Sequence, residues 1–314
     1  MGAGIGLLAD RLLGEPPSPV HPVGLFGGAM ARLERSWWED SRLAGVRFAA
    51  AGTLSAGLVG ALLRAGDRRR IVETLAAGVA TEIVVGERAL AEAALKVVSD
   101  LERGDVEDAR RDLRALCGRD SASLGEKEIV RAVIESVAEN TVDAAVAPTL
   151  WGAGGGAALA FAYRAANTLD AMVGYRTERY ARFGWASARL DDMANLVPAR
   201  LTALLVAMVR PRRAGEIWKA TRTQGRLHPS PNAGLAEAAF AAALAVGLGG
   251  ESSYSGNPEL RPRLGEGPPP TLGDVGRAVE LSRDVATLLA ALLVAPGVWA
   301  LVHGAFRRRT RAGA

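Results

Sequence analysis

Acidic side chains recur at helical spacing in the segment ESVAENTVDA, residues 135–144. On a helical wheel of 100° per residue, Glu135, Glu139 and Asp143 fall within an arc of about 80°, with Asn140 beside them. Carboxylates on one face repel one another unless a cation joins them. Carboxylate and amide oxygens suit Mg²⁺, which commonly shares its coordination shell with substrate phosphates. We therefore predict that these four residues bind a metal ion; a solvated helix face is the alternative interpretation.

The phrase Asn-Thr-x-Asp-Ala, which begins at Asn140, returns 27 residues later at Asn167. We expect two helices that present similar polar faces toward each other. A second acidic cluster follows, in which Asp191 and Asn195 are four residues apart and thus on one helix face. The residues that we predict to be catalytic, through metal or amine activation, are Asp191, Asp192 and Glu139.

Arginines accompany these acidic residues, and their planar guanidinium groups bind phosphate or carboxylate oxygens in pairs. Many polar side chains in so short a stretch favour a polar substrate, because buried pairs seldom improve stability over apolar packing. The clusters indicate Mg²⁺-dependent handling of a phosphorylated or carboxylated substrate, although transporters also bury such residues. The residues predicted to bind substrate in this stretch are Arg164, Asn167, Asp170, Tyr175, Arg176 and Asn195.

Several other kinds of site are absent from the sequence. It contains no Walker A phosphate loop, no Gly-x-Ser-x-Gly elbow and no His-Glu-x-x-His zinc motif. The single cysteine, Cys117, excludes an internal disulfide and a multi-cysteine metal site. His21, His228 and His303 are too far apart in sequence to indicate a metal site. The chemistry is therefore expected from carboxylates, amides and arginines.

Composition limits the classes of protein to which this chain can belong. The chain has 314 residues, with 38 Lys+Arg against 34 Asp+Glu and a net charge of +4. This excess of positive charge is too small and too scattered for a nucleic-acid surface. An apolar content of 49% excludes intrinsic disorder. The mean hydropathy of +0.12 is high for a soluble protein. The distribution of uncharged runs along the chain must therefore distinguish a soluble protein from a membrane protein.

Uncharged runs predict membrane-spanning helices. Residues 285–306 contain no Asp, Glu, Lys or Arg, and a helix of this length crosses a hydrocarbon core of about 30 Å. The run 144–163 is also uncharged, and its GAGGGA segment, residues 152–157, is predicted to allow close helix packing. The further candidate spans are 43–63, 71–86, 196–209 and 233–250.

These runs predict an all-α, polytopic membrane bundle that forms one domain, residues 1–314, with about four or five spans and amphipathic cytoplasmic helices. A soluble helical bundle is the alternative. The polar segments 99–128 and 210–232 and the arginines of 307–311 are expected on the cytoplasmic side, which positive charge favours. Residues 250–274 are rich in glycine and proline and are predicted to form a loop.

Three long segments resemble a known family. They read ESVAENTVDAAVAPTLW, AYRAANTLDAMVGYRTERYARFGWASARLDDMANLVPARLTA and HPSPNAGLAEAAFAAALAVGLGG, and LLADRLLGEPPSPVHPVG stands near the N-terminus. The chain resembles the CobD/CbiB family of cobalamin biosynthesis, the adenosylcobinamide-phosphate synthases, over residues 7 to about 273. From the HPSPN motif we add His228 and Asn232 to the predicted substrate-binding residues; a structural role for His228 is equally open.

The resemblance implies a multi-pass plasma-membrane enzyme whose active site faces the cytoplasm. It would join aminopropanol or aminopropanol phosphate to the free propionate carboxyl of adenosylcobyric acid, with Mg²⁺ as cofactor and ATP as co-substrate. Membrane lipid and other late corrinoid enzymes would be its partners, and nucleic acid would not. A Mg²⁺-dependent membrane transferase of a diphosphate or polyprenyl substrate, and a non-enzymatic transport or signalling protein, are the alternatives.

Overall fold

A computed structural model describes residues 1–14, 20–63, 70–117, 121–254 and 257–312, and it is helical almost throughout. The helices are α1 (Gly2–Leu13), α2 (Pro22–Trp37), α3 (Arg42–Leu62), α4 (Arg70–Val84), α5 (Glu87–Glu102), α6 (Val106–Leu113), α7 (Glu126–Asn140), α8 (Ala147–Val173), α9 (Trp185–Ala194), α10 (Leu196–Val209), α11 (Ala214–Thr223), α12 (Ala233–Leu244) and α13 (Leu272–Ala312). A π-helix, Thr141–Val146, joins α7 to α8, and short 3₁₀ turns at Pro211–Arg213 and Gly225–Leu227 flank α11.

Helix α8 folds back on itself at Gly156. This residue has φ 63° and ψ −153°, a conformation that glycine alone adopts readily. A Cβ added at Gly152 would lie 3.6 Å from the Cβ of Ala160, although eight residues of straight helix span about 12 Å. The predicted span 144–163 lies within a stretch long and apolar enough to cross a membrane, but it is not one straight helix, because GAGGGA supplies a reversal as well as close packing.

Small residues bring α3 against the returning half of α8. A methyl group at Gly57 would meet Ala162 at 3.5 Å, and one at Gly60 would overlap the backbone of Ala157. Close approach through small side chains is typical of helix pairs in membranes, where packing replaces the hydrophobic effect. The outer side of α3 exposes apolar residues, among them Leu54, of which 71% is exposed. This helix therefore carries an apolar outer face suited to lipid.

The described residues contain two helical stretches long and apolar enough to cross a membrane, Arg42–Leu62 and Glu126–Val173. A third is counted if α9 and α10, bent by 41°, form one broken span. The all-α membrane class is confirmed, but these stretches are fewer than the four or five predicted. One reason is length: α4 has 15 residues and α12 has 12, and a 12-residue helix spans only about 18 Å. The segment 285–306 lies in α13, whose side chains from residue 300 onward are outside the described part, so this span stays a prediction.

The largest core lies between α5, α7, α12 and α13, where Val97, Val133, Phe240 and Leu281 are completely buried. An antiparallel hairpin of β1 (Leu248–Tyr254) and β2 (Asn257–Leu264) covers one side of it. The prediction of a loop over 250–274 is wrong for this part. The strands lack the alternation of apolar and polar residues that marks a half-buried strand, so periodicity did not reveal them.

A candidate acidic active site

Two carboxylates from separate helices meet on one amide group. Asn167, on the returning half of α8, places its Nδ2 3.2 Å from Asp143 Oδ2 and 3.2 Å from Asp191 Oδ1. Asp143 lies in the π-helix and Asp191 lies in α9. The reversal at Gly156 makes the first of these contacts possible, because it returns Asn167 to the level of Asp143. The predicted encounter between the two Asn-Thr-x-Asp segments is confirmed.

A buried tyrosine and a buried asparagine fix the position of Asp191. Asn195 donates from Nδ2 to Asp191 Oδ2 at 3.1 Å, as the spacing of four residues predicts. Tyr163 donates to Asn195 Oδ1 at 3.0 Å, and its hydroxyl lies 3.4 Å from the Asp143 carbonyl oxygen. Tyr163 was not among the predicted site residues, although its position four residues before Asn167 offered a signal.

The loop before α12 closes the site. Ser230 accepts hydrogen bonds at Oγ from the backbone N–H groups of Asn232 and Ala233, at 3.3 and 3.1 Å. Asn232 donates from Nδ2 to the Asp192 carbonyl oxygen at 2.8 Å. Ser230 was also not predicted, although it stands inside the HPSPN motif. The resulting cavity of about 30 Å³ is lined by Glu139, Val142, Asp143, Asp191, Asp192, Asn195, Ser230, Asn232 and Ala233.

The four predicted metal ligands are not brought together. Glu135 accepts a hydrogen bond from Gly249 N at 2.8 Å and lies 3.8 Å from Arg131 Nε, so it anchors the hairpin. Asn140 donates to the carbonyl oxygens of Leu116 and Ser136 at 3.3 and 2.9 Å. Glu139 and Asp143, the other two, line the cavity.

The donor set of the cavity suits a shared Mg²⁺ site. Among the described residues, no group of three or more His, Cys, Asp or Glu side chains is arranged to hold a metal ion alone. Mg²⁺ does not require such a cage, because it binds one or two carboxylates and completes its shell with water and substrate phosphate. Asp143 and Asp191 both accept from Asn167 Nδ2 and both line the cavity, whose volume of about 30 Å³ is enough to admit a water-sized group.

Arginines border this acidic cavity on its outer sides. Arg164 contacts Asn167 Oδ1 through Nη1 at 3.4 Å. Arg189 lies 3.5 Å from Asp192 Oδ2, and Arg176 stands on the exposed segment between α8 and α9, from which its charge acts on Asp192. Positive groups are thus available to bind an anion beside the carboxylates.

The remaining predicted residues lie at the edge of the site or behind it. Tyr175 is partly exposed after α8, and burial together with the Asp170 carboxylate raises its pKa. Asp170 is half-buried one turn beyond Asn167. His228 does not line the cavity; it is buried behind the loop, where Nδ1 accepts a hydrogen bond from Ser230 N at 3.1 Å.

Comparison with known proteins decides the family. The family model described as "CobD/Cbib protein" matches residues 3–282. The chain belongs to the CobD/Cbib family. This result confirms the resemblance, and all residues that line the acidic cavity fall within the matched region of the family.

Relatives across the family are similar over most of their length. The cobalamin biosynthesis protein CobD of Mycobacterium tuberculosis is 47% identical over 300 residues, which are 94% of this chain and 95% of the relative. The protein of the same name from Geobacter metallireducens is 44% identical over 83% of this chain and 84% of the relative. That from Chromobacterium violaceum is 42% identical over 94% and 95%. No solved structure matches the chain.

Proposed function

We propose that this protein is an amide ligase of cobalamin biosynthesis. It would join aminopropanol or its phosphate to the free propionate carboxyl of adenosylcobyric acid, and form adenosylcobinamide or its phosphate with Mg·ATP as co-substrate. Membership of the CobD/Cbib family supports the pathway. The observation that carries the chemistry is the convergence of Asp143 and Asp191 on Asn167 beside a small acidic cavity that both aspartates line.

Amide formation from a carboxylate needs activation, because a carboxylate oxygen would otherwise have to leave as hydroxide, which is a poor leaving group. In the proposed reaction the propionate attacks the terminal phosphate of ATP, and ADP leaves. The amine then attacks the acyl phosphate, and phosphate leaves as the carbon–nitrogen bond forms. The ammonium group must lose protons along this path, and a nearby carboxylate can accept one.

Asp143 and Asp191 are the residues that would hold Mg²⁺ together with the nucleotide phosphates. The ion would supply charge neutralisation at the phosphoryl group that is transferred. Glu139 and Asp192 line the same cavity and would accept the proton of the amine. Arg164 and Arg176 would bind the substrate carboxylate or phosphate, since guanidinium groups form paired hydrogen bonds with these anions.

An apolar cavity on the other side of Arg164 suits the corrinoid. It has a volume of about 250 Å³, and Arg164 is the single charged residue among the described residues that line it. Its walls include Phe26 of α2, Val59 of α3 and Phe161 of α8. A macrocycle edge with methyl groups could occupy this space while the propionate reaches Arg164. Ala165→Phe would fill the cavity, and we expect it to raise the KM for the corrinoid and leave that for ATP unchanged.

A direct assay tests the proposed reaction. The purified protein in lipid nanodiscs is mixed with adenosylcobyric acid, aminopropanol phosphate and Mg·ATP, and products are identified by mass spectrometry. We expect the amide together with ADP and phosphate in equal amounts. Repeating the assay with free aminopropanol in place of its phosphate, and comparing the amounts of amide formed, identifies the preferred amine. Formation of no amide with either amine, by a protein that retains its native thermal unfolding transition, would contradict the proposal.

Arg176→Lys tests whether Arg176 binds the anionic substrate through paired hydrogen bonds or through its charge alone. Lysine keeps the positive charge but lacks the planar fork. Loss of a bidentate contact is worth roughly 1–3 kcal/mol, so the KM of the anionic substrate is expected to rise about tenfold. Arg182→Lys, on the same exposed segment but 3.5 Å from Asp40 and away from the cavity, is the matched control. Equal KM values for Arg176→Lys and the unmodified protein would remove Arg176 from the substrate site.

A further inference from the structure

Glu237 is a buried acidic residue in an otherwise apolar helix. All twelve residues of α12 are buried, and Glu237 is the single charged residue among them, with 1% of its surface exposed. Burying an ionised carboxylate is costly unless charged or hydrogen-bonding groups compensate it. It also lines no part of the acidic cavity. A buried acid kept outside the reaction site calls for a separate role.

Two basic side chains from different parts of the chain, an imidazole and a guanidinium, face the same oxygen of Glu237. His228 Nε2, in the loop before α12, lies 3.8 Å from Glu237 Oε1. Arg261 Nη1, on β2, lies 3.9 Å from that oxygen. The side chains of His228 and Glu237 are 2% and 1% exposed, so solvent does not screen their interaction. The carboxylate thus joins the loop to the hairpin.

The other side of His228 leads to the acidic cavity. Its Nδ1 accepts a hydrogen bond from Ser230 N at 3.1 Å, which leaves the ring N–H on Nε2, toward Glu237. Ser230 Oγ in turn accepts from Asn232 N at 3.3 Å, and Asn232 Nδ2 reaches the Asp192 carbonyl oxygen at 2.8 Å. A continuous series of contacts therefore runs from Glu237 to the cavity wall.

We propose that Glu237 is a positioning residue of the acidic cavity. Through His228 it holds the loop 228–232 so that Ser230 and Asn232 keep their places opposite Asp191 and Asp192. Retention of a buried charge for conformational specificity, and not for stability, is consistent with the energetics of buried ion pairs. The activity part of its test rests on the proposed ligase function, and the structural part does not.

Hydrogen exchange on the full chain in nanodiscs tests the structural part. Glu237→Gln preserves shape and removes the charge, and we expect the amides of Ser230, Asn232 and Ala233 to exchange about tenfold faster. Glu135→Gln is the matched control, because Glu135 is equally buried but contacts Gly249 of the hairpin. That variant should accelerate exchange at Gly249 and leave the loop unchanged. Should Glu237→Gln fail to fold, His228→Asn, which also loses the contact with Glu237, replaces it. Unchanged exchange in the loop of the folded variant would overturn the proposal.

A double-mutant cycle tests whether Glu237 acts on activity through Asn232. We expect Glu237→Gln to lower kcat about tenfold, and the pair Glu237→Gln with Asn232→Ala to be no slower than Asn232→Ala alone. Glu135→Gln should instead combine additively with Asn232→Ala, since independent sites add. Additive effects of Glu237→Gln and Asn232→Ala would overturn the positioning role. Absence of amide product from the unmodified protein would contradict the ligase proposal alone, because the exchange measurement would still stand.

Discussion

The two Asn-Thr-x-Asp segments serve the acidic site through different residues, the first through its aspartate and the second through its asparagine. In the first segment, which begins at Asn140, Asp143 lines the cavity, whereas Asn140 donates to two backbone carbonyl oxygens. In the second segment Asn167 bridges two carboxylates, and within the described part of the chain no hydrogen bond reaches the carboxylate of Asp170. The same sequence phrase therefore serves two different structural purposes.

The helix type explains the difference between the segments. The first passes directly into the π-helix Thr141–Val146, whereas the second lies in regular α-helix. A π-helix bonds residue i to i+5 and has a wider turn, so it changes the rotation of Asp143 relative to Asn140; such turns are frequent at functional sites. A repeated phrase thus indicates which residue types are present, and the local helical geometry decides which of them faces the site.

The first prediction compares the two aspartates. Asp143→Asn should lower kcat/KM by on the order of 10²–10³-fold, the scale of a lost preorganised charge in an active site, and high Mg²⁺ should restore part of it. Asp170→Asn should change kcat/KM by about twofold or less, as expected for a side chain outside the central contacts. Steady-state rates over a Mg²⁺ titration measure both. Equal losses from the two substitutions would show that the segments do not differ in the way the structure indicates.

The second prediction compares the two asparagines. Asn167→Asp removes the amide donor and sets a third carboxylate against Asp143 and Asp191. We expect the metal-free protein to lose roughly 2 kcal/mol of unfolding free energy, on the scale of charged hydrogen bonds, and Mg²⁺ to recover much of it by binding the folded state. Asn140→Ala should cost about 1–2 kcal/mol through its lost bonds to carbonyl oxygens, with no dependence on Mg²⁺.

Thermal unfolding with and without Mg²⁺ distinguishes the two asparagine variants. The two must be compared in the same nanodiscs, because lipid also affects stability. If the cost of Asn140→Ala instead grew when Mg²⁺ is present, because the variant gains less stability from the ion than the unmodified protein does, Asn140 would be a ligand of the metal. That result would favour the original grouping of Glu135, Glu139, Asn140 and Asp143.

The sequence predicted much of the cavity, because its members lie at short helical spacings. Asp191 and Asn195 are one turn apart, and the recurrence of Asn-Thr-x-Asp indicated that two segments would face each other. Membrane character also followed from local runs of uncharged residues. These features depend on local periodicity, which a single sequence records directly.

Contacts between distant segments could not be predicted in this way. Glu135 shares the helical face of Glu139, but the carboxylate of Glu135 accepts a hydrogen bond from the backbone N–H of Gly249, 114 residues away. Gly156 belongs to a run of glycines that is equally compatible with close packing and with a reversal. Glu237 stands in an alanine-rich helix, and its neighbours His228 and Arg261 come from a loop and a strand.

The third prediction concerns the reversal that brings the segments together. Gly156→Ala forces a side chain into a backbone conformation that costs roughly 1–3 kcal/mol for residues other than glycine. Gly154→Ala is the matched control, since its added Cβ would meet nothing within 4 Å, and alanine improves helix stability by roughly 0.5–1 kcal/mol. The unfolding free energy should therefore fall in Gly156→Ala and rise in Gly154→Ala. Equal stability of the two variants would argue against a turn at Gly156.

The fourth and smallest expected effect compares the two threonines. Thr141 donates from Oγ1 to Val137 O at 2.6 Å and lies 2.8 Å from the Ser282 hydroxyl of α13, in a buried position. Thr168 Oγ1 contacts the Arg164 carbonyl oxygen within its own helix at 2.7 Å. Thr141→Val should cost about 1–2 kcal/mol, because it leaves the buried Ser282 hydroxyl without this partner, whereas Thr168→Val should change stability by less than about 0.5 kcal/mol.

Ser282→Ala supplies the control for that cost. If the penalty of Thr141→Val comes from the Ser282 hydroxyl, the double variant Thr141→Val with Ser282→Ala should be about as stable as Ser282→Ala alone, since replacing both partners by apolar groups can be nearly neutral. The coupling free energy is read from unfolding of the four proteins. Additive penalties would mean that Thr141 stabilises the protein only through its own helix, as Thr168 does, and the first segment would then lose its link to α13.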